Sequence, residues 1–110
     1  MKSNVIVEKS LAFAVRIVET YRYLCEYVMS KQLLRSGTSI GANVREAVYG
    51  QSKHDFVAKM SIALKEVSET EYWLELLRRT GYLTEGVVFA ECGEIGRILT
   101  AIIKTSKENQ

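Results

Sequence analysis

The sequence predicts an all-α fold, an antiparallel up-down-up-down four-helix bundle, and three observations support it. The chain of 110 residues contains no proline, and no run of glycine, serine or charge is long enough to act as a linker. Apolar residues recur three and four positions apart in four successive segments. The connections between these segments are short, so each helix must fold back on the one before it. Residues 1–110 therefore read as a single domain.

The first helical segment carries two apolar stripes that run side by side. The clearer stripe has heptad spacing and consists of Val7, Leu11, Ala14, Val18, Tyr21, Cys25 and Val28. The second stripe consists of Ile6, Phe13, Ile17 and Leu24. Together the two stripes are wider than one partner helix can cover, so we expect helix 1 to contact at least two neighbours.

The second segment is amphipathic although its residues are poor helix formers. Ser30 is a candidate N-cap, and Gly50 is a candidate left-handed residue after the C-terminus. One side holds Leu33, Gly37, Ile40, Gly41, Val44 and Ala47, and the other holds Arg35, Ser36, Ser39, Asn43 and Glu46. Each glycine costs about 1 kcal/mol relative to alanine in a helix interior, so we expect a neighbouring helix to approach closely there. The short polar side predicts a hydrogen-bonded seam against another helix or subunit.

Helices 3 and 4 have clearer boundaries. Ser52 and Asp55 form a variant capping box for a helix from Lys53 to Thr80, closed by Gly81, and Thr84 is a candidate cap for helix 4. The predicted core stripe of helix 3 is Phe56, Met60, Ala63, Val67, Thr70, Leu74 and Leu77, and that of helix 4 is Val88, Cys92, Ile95, Leu99 and Ile102. A second patch on helix 3, formed by Ile62, Trp73 and Leu76, predicts either a long edge of the core or a subunit contact.

A set of short motifs lies along the middle of the chain: Leu34-Arg35-Ser36, Ser39-Ile40, Ala42-Asn43, Glu46, Ser52-Lys53, Asp55-Phe56, Ala63-Leu64, Glu69 and Gly81-Tyr82-Leu83. With these motifs the chain resembles a known family of small bacterial four-helix-bundle proteins, the 23S rRNA intervening-sequence proteins. The chain is also similar, more distantly, to the accessory variability determinant of diversity-generating retroelements. The resemblance implies a ring-like homopentamer, and the distant one implies RNA, DNA or a nucleic-acid-processing protein such as a reverse transcriptase as a partner.

The sequence offers little for catalysis or for a cofactor. Its single histidine, His54, lies at the start of helix 3, where a surface or capping role is expected. A ferritin-like di-iron site needs two Glu-x-x-His motifs, and nine positions with an intervening glycine separate Arg45 from His54, unlike the arginine and histidine of helical nucleases. We therefore expect no cofactor, no metal site and no enzymatic activity.

Composition predicts a cytoplasmic protein with no membrane contact. No apolar segment approaches the roughly 18 residues of a membrane span, and the N-terminus is unlike a signal peptide. Cys25 and Cys92 lie singly on apolar stripes without CxxC spacing, so we expect reduced thiols in the core.

Charge makes nonspecific nucleic-acid binding the preferred functional hypothesis, although the net charge is only +2. Residues 1–62 hold nine basic and five acidic side chains, whereas residues 63–110 hold six and eight, giving +4 and −2. Lys2, Lys9 and Arg16 repeat every seven residues and form a basic line, unless they belong to a mixed solvated face. Arg35 is a further candidate phosphate contact, with an ion pair to Glu46 or to a glutamate of helix 3 as the structural alternative. The competing function is a protein-binding scaffold or accessory subunit that does not contact nucleic acid.

Overall fold

The computed structural model describes residues 2–84 and 86–109, with side chains from residue 5 onward, and shows four helices. They are α1 (Lys2–Tyr23), α2 (Val28–Val48), α3 (Lys53–Arg79) and α4 (Val87–Glu108), and the described residues contain no strand. Each helix packs against its neighbour in sequence, α1 and α4 close the ring of contacts, and the described backbones of the diagonal pairs do not approach closely. This arrangement, about 45 × 20 × 19 Å, confirms the predicted up-down-up-down bundle.

The glycines of α2 allow α1 to approach closely, as predicted. A Cβ atom on Gly37 would lie 2.8 Å from the buried side chain of Ile17. A Cβ on Gly41 would lie 3.3 Å from the backbone oxygen of Ser10. The helix therefore uses its glycines to bring the two backbones together, and the packing of α1 offsets their poor helix propensity.

The prediction for α1 is confirmed for its second stripe and wrong for part of the clearer one. The buried residues of α1 are Ile6, Ser10, Phe13, Ile17 and Leu24, which follow the second stripe with a serine inserted. The clearer stripe is only partly covered: Leu11 is 51% exposed, Val18 is 39% exposed, and Cys25, a predicted core thiol, is exposed in the connection after α1. The reason is the close contact with α2, which requires a small residue, Ser10, opposite Gly41.

The predicted starts of α2 and α4 are wrong, whereas the predicted end of α2 near Gly50 is confirmed, since Tyr49 is its C-cap. α2 begins at Val28, so Ser30 is buried inside it instead of capping it. The cap comes from Glu26, whose carboxylate accepts hydrogen bonds from the backbone N–H groups of Val28, Met29 and Ser30 at 3.0, 2.7 and 3.2 Å. A carboxylate at this end also interacts favourably with the positive end of the helix dipole.

Two further predictions are wrong: the conformation of Gly50 after α2 and the cap of α4. Among the described residues only Gly81 has a positive φ, so Gly50 does not adopt the predicted left-handed conformation. It provides space instead, since a Cβ there would lie 2.6 Å from a carboxylate oxygen of Asp55. Helix α4 starts at Val87 after an extended Gly86, so Thr84 lies outside the capping position.

Helices α3 and α4 follow the sequence prediction closely. The hydroxyl of Ser52 accepts a hydrogen bond from the backbone N–H of Asp55 at 3.0 Å, which confirms the cap of α3. Gly81, at φ +86°, ends α3 in a Schellman motif, in which its N–H bonds the carbonyl of Arg78 and the N–H of Tyr82 bonds that of Leu77. The core stripe of α4 is as predicted, and that of α3 differs only in Phe56, which is half-buried.

Candidate interaction surfaces

Arg35 belongs to an ion-pair network between α2 and α3. Its guanidinium pairs with the carboxylate of Glu69 and lies 3.6 Å from that of Glu66, and the indole N–H of Trp73 donates to Glu69 at 3.1 Å. The hydrogen bond from Arg35, followed by that from Trp73, holds the pKa of Glu69 below its usual range. The predicted ion pair of Arg35 with a glutamate of helix 3 is therefore present, and Arg35 as a phosphate contact stays a prediction.

The predicted basic line on α1 is tied to α4. The ammonium of Lys9 lies 3.2 Å from a carboxylate oxygen of Glu94, and the guanidinium of Arg16 pairs with Glu91. The hydrogen bond to Glu91 is the main cause of a raised pKa of Arg16. The side chain of Lys2 lies outside the described part of the chain. Neither described cation of this line is free of a carboxylate partner, so as nucleic-acid contacts these residues stay a prediction.

Besides Arg35, two residues on the polar side of α2 form a hydrogen bond or an ion pair with α3 in the described part of the chain. The hydroxyl of Thr70 donates to that of Ser36 at 3.0 Å inside the core, and Glu46 lies 3.1 Å from the ammonium of Lys59. The half-buried side chains of Ser39 and Asn43 hydrogen-bond only to the carbonyls of the preceding turn of their own helix, among the residues described. The seam is thus part of the bundle at Ser36, and open at Ser39 and Asn43.

An uncovered apolar surface lies on α1, and we define the α1 apolar face as Leu11, Val15 and Val18. These side chains are 51%, 52% and 39% exposed. The face borders the α1–α2 groove, a depression of about 290 Å³ between Val7, Leu11 and Ala14 of α1 and Thr38, Gly41, Ala42 and Arg45 of α2. Three exposed branched aliphatic side chains on one helix of a small domain indicate an interaction surface.

The patch on α3 is part core edge and part surface. Trp73 is half-buried and packs against the core, and Leu76 is also half-buried, whereas Ile62 is 41% exposed. Tyr72 packs edge-on against Trp73 with ring centroids 5.0 Å apart, which adds aromatic surface to the patch. The sequence alternatives, core edge or subunit contact, therefore both remain open for this patch.

A second depression, the α3–α4 groove, lies on the side of the bundle opposite the α1–α2 groove. It has a volume of about 570 Å³ and an apolar floor that includes Leu64, Val67 and Ala101. Arg97 and Lys104 line it on α4, and Glu71 lines it on α3. An adjoining depression of about 450 Å³ extends it to Lys107 and Glu108.

Sequence reasoning missed the cations of the α3–α4 groove because the C-terminal half of the chain has a net negative charge. Arg97, Lys104 and Lys107 have no carboxylate partner among the described residues. Their spacing of seven and three residues places all of them along one side of α4, and that spacing was the available signal. Net charge concealed it because Glu91 and Glu94, in the same half, are paired with α1.

The described residues contain no metal-binding cluster, and the buried thiol among them is unreactive. No group of three or more His, Cys, Asp or Glu side chains in this part of the chain is placed to hold a metal ion. His54 is exposed in the first turn of α3. Burial, followed by the charge of Glu71, raises the pKa of the Cys92 thiol to about 12, so this thiol stays protonated at neutral pH.

No described helix is long and apolar enough to cross a membrane.

The comparison with protein families decides which family this bundle represents. The family described as 23S rRNA-intervening sequence protein matches residues 2–101. The chain belongs to this family. A member of the S23 ribosomal protein family from Bacteroides thetaiotaomicron VPI-5482, a protein of unknown function with a crystal structure, is 57% identical. The alignment covers 94% of this chain and 99% of that one, with a TM-score of 0.91. No curated protein matches the chain.

Membership of the 23S rRNA-intervening sequence family explains the bundle but gives no activity. The solved relative is itself a protein of unknown function, and its likeness extends over almost the whole chain. Any function therefore depends on the surfaces that the bundle leaves uncovered, among them the α1 apolar face and the two grooves.

Proposed function

We propose that this protein is a non-enzymatic helical module that assembles with copies of itself and binds nucleic-acid backbones without reading their sequence. The α1 apolar face is the observation that carries the proposal. A helix in a monomeric bundle turns its polar side to water, whereas α1 exposes Leu11, Val15 and Val18 on adjacent turns. Contact with a second copy removes this surface from water.

Charge complementarity favours another copy of the same chain over an unrelated partner. Arg45 lies at the rim of the α1–α2 groove and has no carboxylate partner among the described residues. Glu8 is exposed on α1, seven residues before Val15 and therefore on the same side of the helix. Packing the α1 apolar face of one copy into the α1–α2 groove of the next brings such opposite charges to the edges of the contact, and a head-to-tail contact of this kind can close into a ring.

Repetition of the chain strengthens a weak attraction for polyanions. The net charge of one chain is +2, so a homopentamer, the assembly that the family resemblance implies, carries 5 × 2 = +10. Such binding depends on counterion release and weakens steeply with salt. We expect the protein to act in the cytoplasm, where RNA and DNA are within reach.

The oligomeric state tests the assembly. Light scattering on the full chain at micromolar concentration is expected to give a multiple of the 12.5 kDa mass, with five-fold being about 62 kDa. The variant with Leu11→Glu and Val15→Glu should run as a monomer that keeps its helical circular dichroism. Val87→Glu is the control for a glutamate at an exposed valine, because Val87 is 57% exposed at the start of α4 and lies outside the α1 apolar face. A monomeric wild-type chain overturns the proposal.

Gel-shift titration tests the second half of the proposal. RNA and DNA of mixed sequence should bind at about 50 mM salt and be largely released at about 200 mM. The absence of binding at the lower salt concentration leaves the alternative, a scaffold that binds protein alone. That scaffold would retain its partner from a cell extract after nuclease treatment.

A further inference from the structure

We infer that the α3–α4 groove is the nucleic-acid site and that its ligand is a single strand held by its phosphates along α4. This inference rests on the proposed nucleic-acid binding and moves it away from the basic line on α1. The reason is the availability of charge: Lys9, Arg16 and Arg35 are paired with glutamates of neighbouring helices. A phosphate that binds them must compete with a carboxylate that is already in place.

The cations of the groove form a line whose length suits a nucleic-acid backbone. Arg97, Lys104 and Lys107 span ten residues of α4, which corresponds to about 15 Å at 1.5 Å per residue. All three lack a carboxylate partner among the described residues. The Arg97 guanidinium lies close to Gly93, one turn earlier on α4, since a Cβ on Gly93 would lie 3.4 Å from one of its nitrogens. The guanidinium thus folds along the helix toward the groove.

The opposite wall and the floor set the orientation of the strand. Glu71 on α3 faces the groove across from the cations and repels phosphates, which keeps the backbone on the α4 side. Glu108 lies beside Lys107 and reduces the field at that end. The apolar floor of Leu64, Val67 and Ala101 offers a surface for sugars and base faces. A duplex keeps its base faces stacked inside, so only a single strand gains from this floor.

The groove stays open when the protein assembles through α1. Contacts run in the order α1, α2, α3, α4 around the bundle, so the α1–α2 and α3–α4 grooves lie on opposite sides. A contact that covers the α1 apolar face therefore leaves Arg97 and Lys104 accessible. Each copy in an assembly presents one such groove.

Charge-matched variants of the full chain test the site, with a 20-nucleotide poly(U) RNA and a poly(dT) DNA as probes. Arg97→Ala combined with Lys104→Ala should weaken binding at least tenfold at 50 mM salt and lower the salt slope by about 1.4, the contribution of two single-strand phosphates. Arg22→Ala combined with Lys31→Ala is the control, because both residues are exposed and unpaired in the described chain and removing them changes net charge equally. Glu71→Gln should tighten binding two- to fivefold.

The outcomes separate the two proposals. If the wild type binds neither probe at 50 mM salt, the proposed nucleic-acid function fails and the groove has no ligand to explain. If the wild type binds and the two double variants lose the same affinity, nucleic acid binds by net charge alone and the groove is not the site. A 20-base-pair duplex that binds as tightly as the single strands contradicts the single-strand preference. Unchanged melting of each variant shows that affinity, and not folding, is measured.

Discussion

Gly37 shows how a single missing Cβ atom determines the packing of two helices. A methyl group at this position would overlap the side chain of Ile17, which is fully buried. The same substitution at Gly93 of α4 meets only the end of the flexible Arg97 side chain, at 3.4 Å. Two glycines in helix interiors thus have opposite roles, which propensity alone cannot distinguish.

We predict opposite effects of alanine at these two glycines. Gly37→Ala should destabilise the protein by about 1–3 kcal/mol because it overpacks the α1–α2 contact. Gly93→Ala should stabilise it by about 1 kcal/mol because alanine is the better helix former and space is available. Urea unfolding monitored by circular dichroism measures both changes. Equal effects of the two substitutions would contradict the close approach of α1 to α2.

The network of Arg35, Glu69 and Trp73 predicts a pH-dependent contribution to stability. The pKa of Glu69 lies below its ordinary 4.5 in the folded state because Arg35 and Trp73 bond to the ionised form. Its contribution is fully present above about pH 4.5, the pKa of the unfolded chain, and is lost as pH falls through the lower folded pKa. Glu69 is partly exposed, so the contribution at neutral pH is below about 1 kcal/mol.

Comparison of Glu69→Gln with the wild type measures this contribution. The variant should be less stable at pH 7, and the difference should become smaller at pH 3, because the wild-type carboxylate takes up a proton as pH falls. Glu108→Gln provides a control, since Glu108 is exposed near the end of α4 with no ion-pair partner among the described residues. A stability difference between Glu69→Gln and wild type that is the same at both pH values would exclude the ion pair as its cause.

At the scale of the helices, the sequence predicts the buried side correctly where a helix has a single apolar stripe. Helices α3 and α4 each have a single strong stripe, and their burial follows it. Helix α1 has two apolar stripes, and periodicity alone cannot tell which of them is buried. The buried stripe is the one that packs against the glycine-containing side of α2. Ser10 carries this information, but a serine inside an apolar stripe reads as an interruption.

The surfaces were harder to predict than the fold, for a similar physical reason. Whether a lysine or arginine is available to a ligand depends on which carboxylates the tertiary structure places beside it. The pairs of Lys9 with Glu94 and of Arg16 with Glu91 join residues from opposite ends of the chain. These pairs use two acidic side chains of α4. The cations of the α3–α4 groove therefore have no carboxylate partner among the described residues, although the C-terminal half of the chain has a net negative charge.

The different positions of the two cysteines give a prediction about α1 and α4. Cys25 lies exposed in the connection after α1, whereas Cys92 is buried in α4 with a thiol pKa of about 12. An aromatic disulfide reagent at pH 8 should therefore modify one thiol per chain under native conditions, and two in denaturant. Cys25→Ser should abolish the native reaction. Rapid modification of Cys92 in the folded protein would show that α4 opens away from the core.

At the scale of the whole molecule, assembly and nucleic-acid binding should be coupled through the number of grooves that one strand can reach. Each copy presents one α3–α4 groove, so a long strand can occupy several grooves of one assembly and a short strand only one. The second contact is intramolecular and gains from a high effective concentration, which raises the affinity for long strands without any new contact.

The monomeric variant with Leu11→Glu and Val15→Glu separates this effect from the quality of a single groove. We expect it to bind a 10-nucleotide poly(U) strand as tightly as the wild type does, after allowance for the two added negative charges. It should bind a 60-nucleotide strand at least tenfold more weakly, because each groove then acts alone. The Val87→Glu control, which leaves the α1 apolar face intact, should keep the preference for the long strand. Fluorescence anisotropy at one salt concentration gives both affinities, and equal relative losses for the two strand lengths would mean that binding does not depend on assembly.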